Sequence, residues 1–122
     1  MTLFNNTLST LMNQRLTWLN AQSKVLTTNI ANADNPSAKR EELRSFLKIL
    51  SKSPSVIKSN GISLTRVKNF TIQDNDLIHT NKEIARELET LEMAKNNLEH
   101  ETLINVVRQF HKMFKAAIGK SQ

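Results

Sequence analysis

From Phe4 onward, apolar residues return at every seventh position along two lines: Phe4, Leu11, Trp18 and Val25, then Met12, Leu19, Leu26 and Ala33. A recurrence of seven keeps each line on one side of an α-helix. Leu16 and Ile30 flank the second line, and Leu8, Arg15, Gln22 and Asn29 run between the two. The pattern predicts a helix with two apolar ridges divided by a mostly polar furrow. Such a helix either serves two separate contacts or presents one broad core face, and the pattern admits both. Asp34-Asn35-Pro36 end it, because the residue before a proline is pushed out of the α region.

A second periodic stretch starts near Thr80. Its apolar positions are Ile84, Leu88, Leu91, Ala94, Leu98, Leu103, Val106, Phe110, Met113 and Ala117, thickened by Val107 and Phe114. Ile84, Lys95, Val106 and Ala117 stand eleven apart, a spacing that does not sustain a left-handed coiled coil over the full length. Thr80-Asn81-Lys82-Glu83 reads as a capping box and Gly119 as a residue just past the helix end. Glu83, Glu87 and Glu89 near the start, with Lys112, Lys115 and Lys120 near the end, suit the helix dipole. The expected helix has about 38 residues and a length of about 57 Å.

Between these helices the pattern is shorter. Leu43, Phe46, Leu47 and Leu50 predict a small amphipathic helix opening near Pro36, a residue tolerated in a first helical turn. Beyond Pro54, Asn60-Gly61 is a hairpin signal, with Ile62/Leu64 and Phe70/Ile72 alternating around it. A small β-hairpin and an irregular loop both fit. The expectation is an all-α dominated fold, with a long antiparallel pair of N- and C-terminal helices, a short middle helix and that hairpin or loop. The segments are 1–34, 35–79 and 80–122.

Composition narrows the class. The chain has 122 residues, of which 39% are hydrophobic and 23% charged, against roughly 45–50% and about 25% in an average soluble domain. One domain is expected. Two glycines and two prolines are too few for the turns of a β-sandwich or barrel. There is no cysteine, which excludes disulfides, thiolate nucleophiles and cysteine-ligated zinc. His79, His100 and His111 are the only imidazoles, and His100 and His111 stand eleven apart, beyond the reach of a shared helical metal site. No phosphate loop, nucleophile elbow or shielded carboxylate pair occurs, so neither catalysis, a cofactor nor a metal is expected. No secretory signal and no transmembrane stretch are expected either.

The net charge of +6 is regional. Residues 39–72 carry eight basic groups against Glu41 and Glu42, while the flanking segments are nearly neutral. Lys39, Arg40, Arg44, Lys48 and Lys52 fall along one face of the short helix expected there, and Lys58, Arg66 and Lys68 continue the charge. Phosphates, anionic headgroups or an acidic protein surface all suit such a patch. Phe46 and Phe70 are its only aromatics, too few to stack single-stranded nucleic acid, and the plain reading is a solvated basic face. Nucleic acid is not an expected partner.

The positions expected to carry helix packing and subunit contact are Leu11, Met12, Trp18, Leu19 and Leu26 on the first helix and Leu88, Leu91, Leu98, Val106, Phe110 and Phe114 on the second. Two helices meeting along one seam gain little against the entropy of ordering them, so neighbouring subunits are expected to supply further burial.

Residues 26–39, LTTNIANADNPSAK, resemble the signature of the flagellar axial family of rod, hook and hook-associated subunits, at Asn29, Ile30, Ala31, Asn32 and Pro36. Asn35 stands where that family usually has Thr, Ser37-Ala38 replace its Gly-Tyr, and His100 takes a position where Tyr is common. Residues 81–120 resemble the family's C-terminal helix at Lys82-Glu83, Ala94-Lys95-Asn96 and Phe110 to Ile118. The resemblance implies terminal helices paired antiparallel and stacked with neighbours around a hollow tube. It also implies export without a cleaved signal and assembly in the periplasmic rod of the bacterial basal body. Implied partners are copies of the chain, other rod subunits, and export-gate or ring-adaptor proteins. In that setting Arg15, Gln22, Asn29, Asn32 and Asn96 would set register between subunits. A helical adaptor or export chaperone and a basic nucleic-acid-associated protein are the competing classes.

Overall fold

The computed structural model describes residues 2–52, 56–59, 62–65 and 70–120, with side chains for 8–52 and 70–119. The side chains of Phe4, Lys58, Arg66, Lys68 and Lys120, and all of Asn60-Gly61, lie outside the described residues. Helix α1 spans Thr2–Ala31 and helix α3 Arg86–Lys120, and they pack against each other. The pairing is antiparallel: Arg15 meets Glu99, Leu19 meets Asn96 and Asn29 meets Glu89, partners falling in number as the chain rises. This is the helix pair expected from the sequence. At 1.5 Å per residue, the 30 residues of α1 reach about 45 Å and the 35 of α3 about 52 Å.

The connecting segment forms strand β1 (Glu41–Leu43), helix α2 (Phe46–Lys52), strands β2 (Val56–Ser59) and β3 (Ile62–Thr65), a 3₁₀ turn (Asp74–Asp76) and strand β4 (Leu77–His79). β2 and β3 pair antiparallel with Ser59 opposite Ile62, the hairpin alternative of the two read from Asn60-Gly61. β1 and β4 pair antiparallel with Glu41 opposite His79 and Leu43 opposite Leu77, which the sequence pattern did not disclose.

That second sheet explains two corrections. The helix expected from Pro36 is confined to Phe46–Lys52, because residues before it are extended against β4. Thr80 does not cap α3. Its hydroxyl donates to the Arg40 carbonyl (2.6 Å), its N–H donates to the same oxygen (3.2 Å), and Arg40 N–H donates to Lys82 O (2.9 Å). The ladder therefore runs past the strand, and the helix opens six residues late, with Glu89 N–H donating to Ala85 O (3.0 Å). At the other end α3 continues through Gly119 to Lys120, so Gly119 is not a residue beyond the helix.

The buried set is as polar as it is apolar. Leu19, Val25, Leu26 and Ile49 are buried, and so are Gln14, Asn29, Asp76, Glu89 and Asn96. Buried polar groups need partners, and those partners define the middle of the molecule. No helix among the described residues is long and apolar enough to cross a membrane.

Candidate functional site

The last buried residue of α1 is Asn29, 1% exposed, inside the Asn29-Ile30-Ala31-Asn32 segment. Its amide behaves like a peptide unit toward β1. Oδ1 accepts from the Glu41 N–H (3.0 Å) and Nδ2 donates to the Glu41 carbonyl (2.9 Å). Nδ2 also donates to Glu89 Oε2 (3.1 Å) on α3. The other Glu89 oxygen accepts from Arg40 Nε, and Arg40 Nη1 donates to Glu42. One asparagine thus joins α1, β1 and α3, and the carboxylate beside it is matched by a guanidinium. Burial disfavours the charge on Arg40, but the hydrogen bond and charge of Glu89, aided by Glu42 and Glu92, outweigh it and raise its pKa above the ordinary arginine value.

Ile30 is half-buried; Ala31, Asn32 and Pro36 are exposed. Ala31 ends the helix, and Asn35 Oδ1 accepts from both the N–H (3.1 Å) and the hydroxyl (2.7 Å) of Ser37. This Asx turn shapes the chain after Pro36 without a glycine. Arg86 donates to Asp34 (2.7 Å) just outside the turn.

A second hub lies at Asp76, 3% exposed. Its Oδ2 accepts from the Gln73 N–H (3.0 Å), its Oδ1 from Lys52 Nζ (3.0 Å), and Arg44 Nε stands 3.6 Å away. Burial pushes this carboxyl up, yet the Gln73 hydrogen bond and the two cations outweigh it, so it is held below the usual aspartate range. Arg44 N–H donates to Asp76 O (2.8 Å), and the Arg44 carbonyl accepts from Trp18 Nε1 (2.9 Å). Arg15 lies over the rings of Trp18 (4.6 Å) and Phe46 (5.1 Å), and Phe46 packs on Phe70 at 5.5 Å. These contacts dock α2 on α1.

The basic residues accordingly form no single face. Arg40 and Arg44 are half-buried and turned to carboxylates, and Lys52 serves Asp76; Lys39 and Lys48 are exposed. A run of cations in sequence becomes two ion clusters because the acids that attract them arrive from α3 and the 3₁₀ turn. Beside the first cluster a cavity of about 330 Å³ is lined by Gln22, Arg40, Glu42 and Glu92, among others. Its walls carry both signs of charge. Among the described residues, no group of three His, Asp or Glu side chains is placed to hold a metal ion.

The furrow of α1 faces its own chain. Arg15 Nε donates to Glu99 (2.9 Å), Asn29 to Glu89, and Asn96 Nδ2 to the Leu19 carbonyl (3.1 Å). These residues set register between α1 and α3, whereas the expectation had placed that role between subunits; Asn32 is exposed. Leu19 and Leu26 are buried, Met12 and Trp18 half-buried, and Leu11 is exposed.

On α3 the expected contact residues divide between two sides of the helix. The face toward α1 carries Glu89, Met93 and Asn96 and continues through half-buried Leu103, Val107 and Phe110. Leu88, Leu91, Leu98 and Val106, expected as helix-packing or subunit-contact positions, lie outside the α1 seam and are exposed at 62%, 51%, 66% and 44%, and Met113 at 70%. Phe114 is also exposed. The heptad-like stripe is real, but it lines the outer side of the helix. Glu89, Asp76 and the Glu41 backbone are the organising groups that periodicity missed. No protein-family model and no curated protein matches the chain.

Proposed function

We propose that this chain is a structural subunit of the bacterial flagellar rod, nearest in its resemblance to proximal-rod subunits, and that it works by assembly rather than catalysis. The observation that carries the reading is the conjunction at the end of α1. The Asn-Ile-Ala-Asn segment that resembles the axial signature closes the N-terminal helix, and its first asparagine locks that helix to the C-terminal one. Antiparallel terminal helices are the unit the family resemblance calls for. The outer stripe of α3 adds support: Leu88, Leu91, Leu98 and Met113 present apolar surface that a neighbouring subunit would cover.

In this reading the subunit is exported without a cleaved signal, lies in the periplasmic rod, and meets other rod subunits and export-gate or ring-adaptor proteins. The test is purification of basal bodies from the source cells, followed by detection of the chain and of its Leu98→Asp variant. Leu98 is exposed, so the variant still folds. The chain is expected in basal bodies and the variant is expected to be lost from them. Presence of the chain in the soluble pool alone overturns the proposal and favours a helical adaptor.

A further inference from the structure

We propose that, before it meets any other partner, the chain pairs with a second copy of itself through the outer face of α3, the two helices running antiparallel about a twofold axis at Thr102. The surface is the exposed stripe of Leu88, Leu91, Leu98, Val106 and Met113. These residues recur at helical spacing and share one side of α3, away from Glu89 and Asn96, which bind α1.

Charge selects the occupant. Residues 86–101 of α3 carry five acids, Glu87, Glu89, Glu92, Glu99 and Glu101, against the two cations Arg86 and Lys95, so that half is net acidic. After that point the helix carries Arg108, Lys112 and Lys115, all exposed, and no acid. A parallel pair would set acid beside acid and base beside base. An antiparallel pair lays the acidic half of each helix along the basic half of the other and also opposes the two helix dipoles.

The positions of the stripe agree with that orientation. With Thr102 at the axis, Leu91 of one copy lies level with Met113 of the other and Leu98 with Val106. Lys95 comes level with Gln109, a polar step that disfavours other registers. The pairing goes beyond the rod reading and does not depend on it. Where both hold, the second copy covers the stripe until a rod neighbour displaces it.

The chain has no cysteine, so single cysteines report the orientation directly. Thr102→Cys is expected to oxidise to a covalent dimer. Leu91→Cys and Met113→Cys are each expected to stay single alone and to cross-link when mixed. In sedimentation equilibrium the wild-type chain is expected to dimerise with concentration. Leu98→Asp is expected to weaken the pair roughly 30-fold or more, as for a central interface position. Thr102→Cys and Leu98→Asp are both expected to keep the helical circular dichroism of the wild type. Self-cross-linking of Leu91→Cys, or a wild-type chain that stays monomeric at all concentrations, would each overturn the proposal. A chain that pairs in solution but is absent from basal bodies sinks the rod reading alone, and a monomer found in basal bodies sinks this inference alone.

Discussion

Asn29 and Glu41 are joined by two hydrogen bonds of opposite sense, Nδ2 to carbonyl at 2.9 Å and N–H to Oδ1 at 3.0 Å. A side chain at the end of α1 thereby occupies the place of a neighbouring strand. The same Nδ2 reaches Glu89 at 3.1 Å, so α3 is held to the same point.

Removing this amide leaves two part-buried backbone groups and a buried carboxylate short of partners. Asn29→Ala is expected to cost about 3 kcal/mol in urea unfolding, summing losses of order 1 kcal/mol for each neutral bond and more for the charged one. Asn29→Asp is expected to cost more at neutral pH. An ionised aspartate accepts from Glu41 N–H but cannot donate to its carbonyl, and it places a second negative charge beside Glu89. Its defect should shrink as pH falls toward 4. An Asn29→Asp protein as stable as wild type would show that the clamp contributes nothing.

Asp76 makes stability dependent on acid. Its carboxyl is held below the ordinary aspartate range in the folded chain, so the folded state favours the ionised form. The contribution is fully present above the unfolded value and is lost as pH falls through the lower folded one. Asp76→Asn is expected to lower stability at pH 7 by about 2 kcal/mol. Below pH 3 the difference should narrow. Parallel stability curves for the two proteins from pH 7 to pH 2 would contradict the assignment.

The two sides of α3 should respond to mutation in opposite ways. Leu19, fully buried against α3, is expected to lose about 3 kcal/mol on change to alanine. Leu98→Ser, at 66% exposure, is expected to change unfolding by less than about 0.5 kcal/mol under conditions where the chain is monomeric. Equal losses at the two positions would mean that the outer stripe is packed within the monomer.

Trp18 is the single tryptophan and donates to the Arg44 carbonyl, so its fluorescence reports whether the middle segment is docked on α1. Trp18→Phe is expected to cost about 1 kcal/mol through that bond alone. Changing Asp76 to alanine should shift Trp18 emission to the red before α1 and α3 separate. Simultaneous loss of fluorescence and helix signal in that variant would show that the segment has no independent docking step.

The helices were legible because heptad spacing is a local signal: Leu19 and Leu26 are buried as the second ridge of α1 requires, and the hairpin signal at Asn60-Gly61 agrees with paired β2 and β3. The choice of faces was not legible. Leu88, Leu91 and Leu98 obey helical periodicity as a core stripe would, yet α3 turns Glu89 and Asn96 inward, because Arg40, Asn29 and the Leu19 carbonyl offer them partners remote in sequence. Thr80 failed as a cap for a related reason. Pairing of β1 with β4 claims its hydroxyl, and no count of neighbouring residues discloses a contact forty positions away. The inward turn of Arg40 and Arg44 was illegible on the same ground, since they meet their acids only in the folded chain, while Lys39, Lys48 and Lys52 of the expected patch are exposed.

The rod proposal makes the α1/α3 pair a building block of that assembly. Cryo-electron microscopy of intact basal bodies from the source cells tests it most directly. The expected density shows this antiparallel pair in the proximal rod, with Asn29 at its lock and the Leu91–Leu98 side of α3 covered by a neighbouring subunit. A complete rod whose density contains no copy of the chain would contradict it.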